Sequence, residues 1–269
     1  MKALSYPLIA ALLWGAVSCA SAQTPPPLID VDPLTLNVLT MKYIIDATPQ
    51  SRIIADVSNP KGTYASKVAQ ITLMDSDSPR SATIAPSAER FPSANYKWYG
   101  FSFYLPSNWD PVGKPVRVAQ VDSSDLTLPP PFAIRVNGAN LEVELNANEK
   151  IPGSSVPPTA ANTQSRIFTI GRATTDAWHC VVVRALWSST VLIGDFKLWN
   201  SSATELSYQA TNTHNTYVGV TPVPRVGLEA INSEGLGVAS RTIIVGPIIH
   251  GQENTYVGAF WDAMPCKKQ

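Results

Sequence analysis

Residues 132–146 read FAIRVNGANLEVELN, two alternating runs on either side of Asn137-Gly138. Asn-Gly is a favoured two-residue hairpin turn, because both central residues must take positive φ. Alternation puts Leu141, Val143 and Leu145 on one face and Glu142 and Glu144 on the other. A chain built around this unit folds as antiparallel β-structure, and the same texture recurs along it. RIIADVS (52–58), SKVAQITLM (66–74), WYGFSFYL (98–105) and VRVAQVD (116–122) are short runs rich in β-branched or aromatic residues. RIFTIG (166–171), HCVVVRALW (179–187), IGDFKLWN (193–200), PRVGLEAI (224–231) and RTIIVGPIIHG (241–251) continue the series. Their lengths and spacing fit strands, and no stretch carries a long helical period. The chain is therefore expected to be all-β, with two curved antiparallel sheets packed face to face.

The turns between such strands explain the 23 prolines, and 269 residues lie close to the size of a single sandwich. Formal net charge is zero, so no basic excess points to nucleic acid or to an anionic membrane surface. Residues 150–164 and 123–132 lack periodicity and read as long surface loops, common places for ligand contacts. In WYGFSFYL, Tyr99, Phe101, Phe103 and Leu105 should enter the core, leaving Gly100, Ser102 and Tyr104 for a concave, ligand-facing side.

At the N-terminus, Lys2 precedes an apolar run from Leu8 to Val17 that is too short to span a membrane, and Ala20-Ser21-Ala22 offers a small-residue cleavage site. Residues 1–22 are thus expected to be a secretory signal, with Gln23 the new N-terminus of an extracellular protein; acylation at Cys19 is the rival reading. Residues 23–44 form a Pro-rich segment, and residues 45–269 form the folded domain. Signal removal leaves Cys180 and Cys266, which in an oxidising compartment either pair or stay as separate thiols. Asn200-Ser201-Ser202 is the sole N-glycosylation sequon.

Several chemistries find no support. The sequence has no phosphate-binding glycine loop, no Cys-x-x-Cys and no Gly-x-Ser-x-Gly. His179, His214 and His250 have no metal-ligand spacing, and His179 reads as structural. Glu142 and Glu144 share a face and could act as paired acids; such alternation more commonly marks the solvated face of a hairpin.

An ordered set of pieces resembles the β-jelly-roll polysaccharide lyases, the group of glucuronan lyase and heparin lyase I, over residues 45–250. They are WYGFSFYLPSNW, VRVAQVD, PPPFAIRVNGANLEVEL, DAWHCVVVRALWS with GDFKLWN, and PRVGLEA. The resemblance implies a concanavalin A-like jelly roll that cleaves an acidic, uronate-containing polysaccharide by β-elimination. In that reaction a neutralising group binds the uronate carboxylate, a base takes the C5 proton and an acid protonates the leaving O4. By resemblance Gln120 is the neutraliser, and Arg225 stands where the family has a Lys.

The sequence departs from the family elsewhere. The family's catalytic Tyr falls on Glu229, the Glu of an Arg-x-Glu motif falls on Ala82, and a His found in some members falls on Asp122. Tyr217 or His214 is then expected to supply the base. Arg80, Arg135, Glu229 and His214 are expected to contact substrate. Calcium, bound by some relatives, is the one cofactor the resemblance admits, and the acidic polysaccharide is the expected partner of a monomer. The competing reading is a lyase-like carbohydrate-binding protein that has lost its chemistry.

Overall fold

The structure, a computed structural model, describes residues 29–31, 43–47, 53–60, 68–86, 95–125, 127–148, 157–190, 193–202, 204–217, 219, 221–231 and 235–268. The segment read as an export signal and most of the Pro-rich segment lie outside these residues. Among the described residues two antiparallel sheets form a jelly-roll sandwich. One runs in the order β10 (Gln164–Arg172), β9 (Asn140–Ala147), β8 (Phe132–Asn137), β7 (Val116–Ser123), β14 (Pro222–Ala230), β5 (Ser81–Pro86), β2 (Tyr43–Ala47). The other runs β13 (Tyr208–Thr213), β12 (Gly194–Asn200), β11 (Ala177–Leu186), β6 (Lys97–Leu105), β15 (Ser240–Val245), β4 (Val68–Met74), β3 (Ile53–Val57). In this second sheet β16 (Ile249–Gly251) also pairs with β6, and β1 (Ile29–Val31) pairs with β16.

The core lies between the sheets. Phe101 of β6, Phe132 of β8 and Phe196 of β12 interlock across it, with ring centroids 6.3 and 5.5 Å apart. The expected hairpin forms as β8–β9, but its two-residue turn is Gly138-Ala139, one residue later than Asn137-Gly138, with Gly138 alone at positive φ, 59°. Asn137 and Asn140 are the last paired residues before the turn. Tyr99, Phe101, Phe103 and Leu105 enter the core as the alternation requires. β1, β2, β5 and β13 are not in the sequence series: β1 has only three residues, and β13 is polar, with half of its residues exposed.

The opposite face of β6 departs from expectation. Gly100, Ser102 and Tyr104 do not face a ligand cleft, because β6 belongs to the nine-stranded sheet and a C-terminal cap covers it. The cap is helix α1 (Val257–Ala263) followed by a 3-10 turn at Pro265–Lys268. A Cβ built on Gly100 would lie 2.3 Å from Met264 Cε and 2.7 Å from Phe260, so the bare glycine is what lets the cap settle on the strand. Trp98 stacks between Trp199 at 5.6 Å and Phe260 at 5.7 Å, making a second small core outside the sheet. Cys180 on β11 is disulfide-bonded to Cys266, with a Cα separation of 6.1 Å, and pins the cap in place. His179 is structural: it stacks on Phe103 and shares a 2.8 Å hydrogen bond with the Thr174 carbonyl.

Candidate active site

A cleft of about 650 Å³ opens on the outer face of the seven-stranded sheet. Its floor carries Arg117 and Asp122 of β7 and Arg225 and Glu229 of β14; its walls come from the loops around Arg80 and Leu128 and from Ala160. The irregular segments 123–132 and 150–164 thus both contribute to it, as expected of long loops.

The floor depends on an irregularity in β7. Strict alternation through VRVAQVD would set Arg117 on the same side as Ala119 and Val121, facing the core. Pairing with β8 instead shifts between Arg117 and Ala119, so Val118 is an extra residue. Val116, Val118, Ala119 and Val121 all join the core. The bulge therefore turns Arg117 to the same outer face as Gln120 and Asp122. On β14, Arg225 stands in register opposite Gln120, and Glu229 opposite Arg117. Gly227 lies between them at φ 149°, where a Cβ would meet the Ala82 carbonyl oxygen at 2.3 Å. Only glycine lets β14 approach β5 this closely.

These side chains form one charged network. Arg117 Nη1 donates to Glu229 Oε1 at 2.6 Å, while its Nη2 and Nε donate to the two oxygens of Glu144 at 2.8 and 3.2 Å. Gln120 Nε2 donates to Glu229 Oε2 at 2.8 Å. Asn146 Nδ2 donates to Glu144 Oε1 at 2.9 Å. Arg135 pairs with Glu142 at 3.3 Å and lies 3.9 Å from Glu144. Arg225 Nε lies 2.7 Å from Asp122 Oδ2, an ion pair that is not aligned as a hydrogen bond.

Burial sets the electrostatics. Burial alone would push the Glu144 carboxyl up, but the two-pronged contact with Arg117 outweighs it and holds the group below the usual carboxylate range. The Arg117 guanidinium is pulled the other way by burial, yet Glu144 and Glu229 keep it above its ordinary value. Asp122 has the opposite balance: burial first, then the Glu229 carboxylate, push it up to about 7 against the pull of Arg225. Burial pushes the Tyr217 phenol up to about 12.

The expected site residues are only partly assembled. Arg225, Glu229 and Arg80 line the cleft. Gln120 is 2% exposed and lies beneath the floor, its amide turned toward Glu229. Arg80 donates to the Asp75 carbonyl at 2.8 Å from the cleft wall. Tyr217 is 1% exposed and is not part of the cleft lining; its charged neighbours are Glu144 and Arg117. Arg135 sits one strand farther along, bound to Glu142.

His214 lies elsewhere. It shares a 3.1 Å hydrogen bond with Gln164 and borders a separate small pocket near Tyr208. Glu142 and Glu144 are neither a solvated hairpin face nor a free acid pair: both are buried and held by arginines. Reading the sequence assigned no role to Arg117 or Asp122. The available signals were their place in a strand whose other residues, Gln120 apart, are apolar up to Ser123, and, for Asp122, a position where some members of the resembling family carry a His. Among the described residues no three His, Cys, Asp or Glu side chains are placed to hold a metal ion.

A family model of polysaccharide lyases matches residues 45–231, the stretch that holds the whole floor of the cleft. The chain belongs to the polysaccharide lyase family. Solved structures with the same sandwich include the endo-β-1,4-glucuronan lyase of the fungus Trichoderma reesei. It is 15% identical with a TM-score of 0.60, over 83% of this chain and 94% of that one. An alginate lyase from a Chlorella virus is 10% identical with a TM-score of 0.53, over 83% and 100% of the two chains. The marine alginate lyase of Aplysia kurodai is 13% identical with a TM-score of 0.51, over 75% and 87%. No curated protein sequence matches this chain. At these identities the structural likenesses establish the lyase-family fold and assign no residue its role.

Proposed function

We propose that this lyase-family protein is secreted and cleaves a uronate-containing polysaccharide by β-elimination, with Arg225 receiving the uronate carboxylate. The observation that carries the reading is Arg225 on the open floor of the cleft, in register with Gln120 and next to a carboxyl group pushed up to about 7. A carboxylate opposes carbanion formation at the adjacent C5 until its charge is offset. A guanidinium with two-pronged geometry does this well. The proteins of similar fold named above act on glucuronan and alginate, which supports an acidic substrate here.

A second reading, binding without chemistry, is favoured by one arrangement. Gln120, the expected neutraliser, donates to the protein's own Glu229, and Glu229 stands where the family has its Tyr. One experiment separates the two. The mature protein is incubated with glucuronan, alginate, heparin and pectate, and the unsaturated uronate that elimination creates is followed by its ultraviolet absorbance. Cleavage of at least one substrate is expected, with Arg225→Ala slowing it by about 10²-fold or more, the usual scale for loss of one charge-stabilising donor. No product from the wild type, with retention on an acidic-polysaccharide column that Arg225→Ala weakens, would instead establish the binding protein.

Export is supported by the N-terminal pattern and by a disulfide suited to an oxidising compartment. The secreted protein is expected to begin at Gln23. Intact mass after export checks this, and a mass that includes residues 1–22 refutes it.

A further inference from the structure

We infer that Asp122 is the proton acceptor of the elimination, a role that the sequence alone directs to Tyr217 or His214. The inference rests on the lyase reading above. The C5 proton and the C6 carboxylate sit on adjacent carbons, so the acceptor has to stand within a few ångströms of the group that holds the carboxylate.

Among the described residues three carboxyl groups line the cleft: Asp77, Asp122 and Glu229. Asp77 is 4% exposed and accepts the Met74 N–H at 2.9 Å, which commits it to its own loop. Both oxygens of Glu229 already accept, one from Arg117 and one from Gln120. Asp122 is beside Arg225, at 2.7 Å, and borders the open cleft. Tyr217 is outside the cleft lining and keeps its proton at neutral pH, since burial raises its phenol to about 12. His214 faces Gln164 in another pocket.

The environment of Asp122 also suits the task. An ordinary aspartate is too weak a base to take a carbon-bound proton efficiently, and a general base works best with a pKa near the working pH. The groups facing Asp122 are Arg225 and Glu229 from β14 and Gln120 and Arg117 from its own strand; with burial, they bring it to about 7. A uronate carboxylate that docks on Arg225 takes up part of the positive charge that steadies the Asp122 anion. Asp122 becomes more basic when substrate is bound.

In the step itself, ionised Asp122 takes the proton from C5. The C–H electron pair becomes the C4–C5 double bond as the C4–O4 bond breaks. O4 gains a proton from solvent water, and Asp122 returns its proton to solvent after the product leaves.

The test uses Asp122→Asn in the mature protein with alginate and glucuronan as substrates. The expected result is a loss of kcat of ~10²-fold or more, with KM changed by less than about tenfold and an unchanged circular dichroism spectrum. Asp122→Glu should recover part of the rate. Wild-type kcat/KM should rise with pH through about 7, because the ionised carboxylate is the active form. That limb is read on the wild type, so its absence overturns the assignment even if the Asn variant fails to fold. A folded Asp122→Asn with near wild-type kcat, or a wild-type profile flat between pH 5 and 9, overturns the assignment and leaves the lyase reading standing. A wild type that makes no unsaturated product from any polyuronate overturns both.

Discussion

Arg117→Met is expected to cost about 3–5 kcal/mol of stability, because it strips the buried Glu144 of the guanidinium that binds both its oxygens, leaving only Arg135 at 3.9 Å, and Glu229 of one of its partners. For a domain of this size that corresponds to a fall in Tm of roughly 6–20 °C. The physical cause is the orphaned charge rather than the lost attraction, since a buried ion pair as a whole contributes little net stability. The double variant Arg117→Met, Glu144→Leu should therefore recover a large part of the loss. Thermal and urea unfolding of both variants check this. A single variant within about 2 °C of wild type, or a double variant worse than the single, contradicts the account.

Removing the disulfide is the second large effect. Cys180 and Cys266 are 86 residues apart, and the chain-entropy model assigns a closed loop of that length about 4–5 kcal/mol. Loss of 2–5 kcal/mol is expected for Cys180→Ala with Cys266→Ala. The loss should be expressed first in the C-terminal cap, where Trp98, Trp199, Phe260 and Met264 pack outside the nine-stranded sheet. The bond lies on the sheet opposite the cleft, so cleavage by the folded variant should be unchanged at low temperature. Equal protease sensitivity of the cap in the variant and the wild type would show that the small aromatic core holds it unaided.

Arg117 and the cap also show where sequence reasoning stopped. Period-two alternation is a local property, and it placed Tyr99, Phe101, Phe103, Leu105, Leu141 and Val143 in the core correctly. It also predicted the hairpin, although the turn falls on Gly138-Ala139, one residue past Asn137-Gly138, because Asn137 stays in the strand and pairs with Asn140. It cannot be applied to β7, where a bulge breaks the period; nothing in VRVAQVD marks Val118 as the extra residue. It failed for the outer face of β6 because alternation states that a side is different without stating what covers it.

The sequence by itself determined the β-sandwich and its β8–β9 hairpin, which follow from strand periodicity and turn chemistry; it left Cys180 and Cys266 either paired or free, and the structure joins them. The order of its motifs also pointed to the lyase family. The tertiary structure alone decided which charges meet. Arg117, Glu144 and Glu229 come from β7, β9 and β14, and Arg117 and Glu229 are separated by 112 positions in the chain. Whether Glu144 is a solvated hairpin residue or a buried ion, and whether Asp122 is an ordinary aspartate or one pushed up to about 7, depends on strand order and on the register shifts of β7 against β8 and β14. Electrostatic energies depend on distances and burial in space, and one residue of register changes both.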